Sequence, residues 1–150
     1  NARIKARYYM EQTGLAALAD DSGLSVEVLG GAPGVYSARY AGVHGDDAAN
    51  NAKLIADIRA RGTENAAAAY HCALVLALTA GEELAAEGVC TGFIRPEARG
   101  TEGFGYDPYF YCADGRTMAE LTREEKHAIS HRGAALNNMK EQLRTLFQVK

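Results

Sequence analysis

The sequence predicts an α/β fold in which strands and helices are interleaved. Three observations carry that expectation. Leu24, Val26 and Val28 alternate with Ser25 and Glu27, the period of a half-buried strand. Leu136, Met139, Leu143 and Phe147 recur at helical spacing near the C-terminus. Between such segments lie turn-forming stretches, of which "GGAPG" at residues 30–34 is the plainest.

The elements follow in order. Residues 1–12 read as a helix with a thin stripe of Ile4, Tyr8 and Glu11, stopped by Gly14. Leu15 to Ala19 reads as a short buried strand that ends at the doublet Asp20-Asp21, and the alternating segment from Leu24 follows. Asp46 or Asp47 can cap a helix running to about Arg61, with Ala52, Ile55 and Ile58 inward and Gly62 as its stop. Ala67 to Leu78 is an apolar segment without helix breakers, expected to be a central strand. "TAGEE", residues 79–83, predicts a hairpin turn into a strand at about Leu84 to Phe93. "YDPYFY" is a further candidate strand, Thr122 and Glu125 form a capping box, and the amphipathic helix closes the chain.

Composition narrows the function. At 150 residues the chain is expected to form one domain, residues 1–150, with a real core. Apolar residues make up 47% and charged residues 23%, ordinary values for a globular protein. A net charge of −3 gives no whole-protein attraction to nucleic acid or an anionic membrane, so neither is expected as a partner. No apolar run approaches the roughly 20 residues that span a bilayer, and "NARIKARYYMEQ" lacks the apolar centre of a signal peptide. Cys72, Cys90 and Cys112 are widely spaced and form no metal or redox pattern, which suits reduced thiols in a cytoplasm. His71 is expected in the core, His44 in a polar loop and His127 on a helix surface. Tyr8, Tyr9, Tyr36 and Tyr40 are expected to fill a core or an interface.

Three polar clusters can carry chemistry. The first is Asp20-Asp21-Ser22-Gly23. If the chain turns there, one aspartate can ligate Mg²⁺ while the other orients a water or acts as base, and Ser22 offers a donor. An Asx turn bonded to its own backbone uses the same vocabulary. The second is "RGTEGFGYDPYF", residues 99–110. Its glycines allow close backbone approach, Phe104 can stack on a base and Asp107 can accept from a ring N–H. A glycine-rich hairpin with an aromatic plug reads the same way. The third is "EEKHAISHRGAAL", residues 124–136, where Lys126, His131 and Arg132 precede or open the last helix. If Ser130 or His131 starts that helix, free N–H groups add attraction for anions; a solvated helix junction has the same composition. Together the clusters supply carboxylates for a metal, cations for phosphate or a polar base edge, and a glycine–aromatic loop for a flat ring. That is the inventory of a nucleoside triphosphate site.

The segments "ALADDSGLSVEVLGGAPGVYSARYAG", "GTEGFGYDPYF" and "LTREEKHAISHRGAAL" closely resemble the inosine triphosphate pyrophosphatase family, in order and over essentially the whole chain. The resemblance implies a long central mixed β-sheet dividing two lobes with flanking helices. It implies hydrolysis of ITP, dITP and XTP to the monophosphate and pyrophosphate with Mg²⁺, in a cytoplasmic homodimer. By motif, Asp21 matches the family's general base and metal-associated aspartate, with Asp20 its acidic neighbour. Ser22 matches a substrate contact, and Lys5 a lysine directed at the phosphates. Phe104, Gly105, Tyr106 and Asp107 match the base-binding loop. Lys126, His131 and Arg132 match the remaining nucleotide contacts. The family's initial strand and Ser/Thr-x-Asn-x-x-Lys phosphate loop have no match here. Discrimination is expected at the purine 6-oxygen, with His131 or Arg132 as donor. Two other readings are a nucleotide-binding protein that does not hydrolyse, and a Maf-type pyrophosphatase acting on pyrimidine or modified nucleotides.

Overall fold

In the computed structural model, residues 2–78 and 81–147 are described. The chain runs α1 (Ala2–Thr13), β1 (Ala17–Val26), β2 (Pro33–Gly34), α2 (Asp47–Ala60), β3 (Ala66–Ala77), β4 (Glu83–Ile94), β5 (Phe110–Tyr111), α3 (Arg123–Ile129) and α4 (His131–Phe147). The fold is α/β, as predicted. Its five strands follow the order β2-β1-β3-β4-β5. The edge pairs are antiparallel, with Leu24 opposite Gly34 and Phe93 opposite Tyr111. The described residues pack into two compact units, one drawn from residues 1–22, 71–89 and 129–150, the other from residues 23–70 and 90–128.

In the first unit a helix covers each face of the strands. Val75 and Ala77 pack with Ala2, Ala6 and Met10 of α1 and with Ala19. Cys72, Leu74 and Ala86 pack with Ala135, Leu136, Met139 and Leu143 of α4. Leu74 and Val75 thus face opposite helices, as neighbours on a strand must. Small residues decide how closely the helices sit. A Cβ on Gly88 would come within 2.0 Å of the His131 carbonyl oxygen and 2.4 Å of the Ala135 nitrogen, so only glycine admits the first turn of α4. The expected stripe of α1 is wrong in detail. Ala2 and Ala6 are its buried residues, while Ile4 is 70% exposed. Short alanines allow closer contact than Ile4 and Tyr8 would. Gly14 does end the helix, with a φ of 70° and its N–H on the Met10 carbonyl. On α4, Phe147 is exposed and the inward face is Gly133, Ala135 and Met139.

The second unit packs around Phe110, Leu24, Leu54, Ile94, Met118 and Leu121. Asp46 caps α2 by accepting from the Ala49 N–H, but Ala52 is exposed and Asn50 and Asn51 are buried beside Leu54 and Ile58. The Thr122–Glu125 capping box forms in both directions, at 2.9 and 3.1 Å. "YDPYFY" becomes a 3-10 turn at Asp107–Tyr109 followed by the two residues of β5. Val28 likewise leaves the strand for a 3-10 turn at Glu27–Leu29.

β3 and β4 match their expected spans. Thr79 and Ala80 of the expected hairpin turn, and Asn1, lie outside the described residues. His71 is exposed rather than in the core, because it falls on a solvent-facing position of β3. Tyr8, Tyr9 and Tyr36 are exposed too, whereas Tyr40 is half-buried. All three cysteines are free and buried. No helix among the described residues is long and apolar enough to cross a membrane.

Candidate active site

The acidic doublet does not end a strand. β1 runs straight through it, and successive side chains of a strand point to opposite faces. Asp20 takes the α4 side. Its Oδ2 lies 3.1 Å from the Arg132 guanidinium, which also donates to Ser22 Oγ at 3.4 Å. Cys72 lies beside the same group, and burial pushes its thiol pKa up despite the Ser22 hydroxyl. Asp21 shares the face of Ala19, toward α1. It lines a cleft of about 410 Å³ with Ala2, Arg3, Ala73 and Ala85. Among the described residues no donor or cation engages the half-buried Asp21 carboxylate. Lys5 reaches back from α1 and its Nζ donates to the Asp20 carbonyl oxygen at 2.6 Å.

Ser130 supplies the cap that positions Arg132. Its hydroxyl accepts from the Gly133 N–H at 3.0 Å, and its carbonyl from the Ala134 N–H. α4 therefore begins at His131, which is half-buried, and Arg132 leaves its first turn. The first unit thus gathers Lys5, Asp20, Asp21, Ser22 and Arg132. These can neutralise and orient an anion, and they leave one carboxylate unpaired to accept a proton or a cation.

The second unit gathers the aromatic loop. Asp107 is 4% exposed and collects three donors. They are the Tyr70 hydroxyl at 2.9 Å, the Phe104 N–H at 3.1 Å and the Lys126 ammonium at 2.5 Å. A buried carboxylate with three donors, one of them cationic, is stably held. A Cβ on Gly103 would sit 2.2 Å from Asp107 Oδ2, so glycine is required where the loop crosses that carboxylate. Phe104 is 66% exposed, and Lys126 Nζ lies 4.9 Å from its ring centre. The loop therefore presents a flat apolar ring beside a cation.

The Tyr106 ring is in the core and its hydroxyl donates to the Ser37 carbonyl at 2.6 Å. Burial raises its pKa strongly. The partners of Lys126 are Asp107 and Phe104, and those of Arg132 are Asp20 and Ser22. Tyr70 is a site residue that pattern reading passed over inside an apolar strand. Its hydroxyl pKa is pushed well up by burial first and by the Asp107 charge second. No group of three or more His, Cys, Asp or Glu residues gathers as a metal cage among the described residues.

Residues 1–142 match the model of the Ham1 family. The chain is 52% identical over 147 residues to a dITP/XTP pyrophosphatase of Yersinia pseudotuberculosis, covering 96% of this chain and 75% of that protein. It is 51% identical to one of Streptomyces coelicolor, covering 97% and 74%. A HAM1 protein from Coxiella burnetii superposes with a TM-score of 0.89 at 46% identity, over 96% of this chain and 75% of that one. Sequence and fold agree, and the chain belongs to the Ham1 family.

Proposed function

We propose that the protein hydrolyses inosine- and xanthine-type purine nucleoside triphosphates to the monophosphate and pyrophosphate. The relatives named dITP/XTP pyrophosphatase support the reaction and substrate class. The observation that carries the chemistry is the unpaired Asp21 carboxylate, on the same strand as the Lys5–Asp20–Arg132 cluster. Asp21 accepts the proton of a water as that water's oxygen bonds the α-phosphorus. The bond from the α-phosphorus to its bridging oxygen breaks, and pyrophosphate leaves. Lys5 offsets charge on the phosphates. Ser22 is a further substrate contact, and His131 or Arg132 donates to the purine 6-oxygen. Phe104 offers its ring for stacking on the purine, Gly105 and Tyr106 shape that loop, and Asp107 and Lys126, which also fix it, are further nucleotide contacts.

Mg²⁺ fits this donor set. Asp21 is a hard oxygen ligand on a cleft with no partner among the described residues, whereas Asp20 faces the other way and is paired with Arg132. Asp21 would hold the ion, which when bound supplies charge neutralisation for the triphosphate. A homodimer and a cytoplasmic location complete the proposal. Replacing Asp21→Asn should lower pyrophosphate release from ITP by orders of magnitude while the melting temperature stays close to the parent's. Near-normal turnover would remove Asp21 from the chemistry. Comparable rates on dITP and dATP would refute the substrate class, and a preference for dUTP or dTTP would favour the Maf-type alternative.

A further inference from the structure

We propose that Asp47 and Asn51 of α2 are positioning residues that hold the ring-stacking loop ready for the nucleotide by clamping Gly105 from both sides of its backbone. This deepens the function proposed above and rests on it. The Gly105 N–H donates to Asp47 Oδ2 at 2.9 Å, and the Gly105 carbonyl accepts from Asn51 Nδ2 at 2.9 Å. Residues four apart share one face of a helix, so one turn of α2 grips both polar groups of a single loop residue. Asn51 is 7% exposed, which confines its amide. Its orientation follows from chemistry, because the flipped amide would set oxygen against the Gly105 carbonyl oxygen.

The clamp acts at the residue between the exposed Phe104 ring and the anchored Tyr106. Phe104 has an exposed ring, so packing does not fix it. Its own N–H is bound by Asp107, and the Asp107 N–H donates to the Phe104 carbonyl at 3.2 Å, while the Glu102 N–H on the Ala119 carbonyl and the Tyr106 hydroxyl on Ser37 hold the loop on either side. Asp107 therefore holds the residue before the next peptide, and α2 holds the peptide after it. Gly105 has a φ of 61°, and a Cβ there would meet nothing within 4 Å. Glycine serves the backbone angle, and the two side chains keep it there. A stacking ring on a loop that must first be ordered binds more weakly than one already in place. Asp47 and Asn51 touch neither phosphate nor ring in this reading, and they act through Gly105.

The test compares Asp47→Ala, Asp47→Asn and Asn51→Asp in the purified protein, reading ITP kinetics together with amide exchange at Gly105. Asp47→Ala should raise KM for ITP about ten-fold, the loss of one charge-assisted hydrogen bond, with kcat little changed and Gly105 exchange accelerated. Asp47→Asn keeps an acceptor and should restore both. Asn51→Asp sets an acceptor against the carbonyl and should raise KM as Asp47→Ala does. Unchanged KM in Asp47→Ala, or equal KM in the Ala and Asn variants, would overturn the clamp while leaving the hydrolase intact. An unmodified protein that releases no pyrophosphate would instead overturn the function, and with it any catalytic use of the clamp, even if Gly105 exchange responds.

Discussion

Replacing Tyr70→Phe tests how the aromatic loop is built. The substitution removes one hydroxyl and leaves the ring, which stacks on Phe110 with centroids 4.4 Å apart and planes inclined by 28°. Packing is therefore kept and no large cavity opens. What is lost is a 2.9 Å hydrogen bond to a carboxylate that is itself buried. A bond to a charged group contributes about 1.5–3 kcal/mol, and the two donors that Asp107 keeps hold the loss below the upper end. Taking about 2 kcal/mol, and about 2–4 °C per kcal/mol for a chain of this size, the melting temperature should fall by about 4–8 °C. Asp107 keeps the Phe104 N–H and Lys126, so the loop should persist and KM for ITP should rise only a few-fold. Differential scanning calorimetry and steady-state kinetics read the two effects. A melting temperature within 1 °C of the parent's would refute the claim that Tyr70 stabilises the Asp107 carboxylate.

Two further perturbations address the rest of the fold. Gly88→Ala places a methyl where the first turn of α4 lies, and should destabilise the protein by at least about 1–3 kcal/mol, visible as a lower urea midpoint. An unchanged midpoint would mean that α4 does not depend on that close approach. Cys112 should respond to alkaline pH, since burial, helped by Cys90 and Asp114 and opposed by Arg116, pushes its thiol up to about 11 from an ordinary 9.0. Because the folded value is raised, the neutral thiol stabilises the fold fully below the ordinary value, and that contribution is lost as pH rises toward 11. The urea midpoint should drop over that window more in the parent than in Cys112→Ala, and parallel curves would contradict the assignment.

The parts of this protein legible in its sequence are those set by near neighbours. Asp46, Thr122 and Ser130 sit at helix starts because a short side chain meets an N–H two or three residues on. β3 and β4 were readable from apolar content and turn residues. The candidate site was legible as a set of residues and not as an arrangement. Tyr70 and Asp107 are 37 positions apart, and nothing local announces their bond. Nor does anything local announce the bond from the Tyr106 hydroxyl to Ser37, 69 positions away. Ile4 and Ala6 show the limit of apolar scoring: the larger residue is exposed and the smaller buried, because helix approach selects for size as well as hydropathy. Adjacent acids resemble a turn and so suggest a strand terminus, yet β1 carries them through with Arg132 facing Asp20.

That passage of β1 through its two acids turns strand geometry into a charge sorter. One member of the pair meets a guanidinium and the other lines a cleft, although the residues are chemically identical. Their identities are set by odd and even position alone. Deleting a single residue upstream within β1 would exchange their surroundings and hand the arginine to the wrong acid, leaving composition almost untouched and the electrostatics reversed.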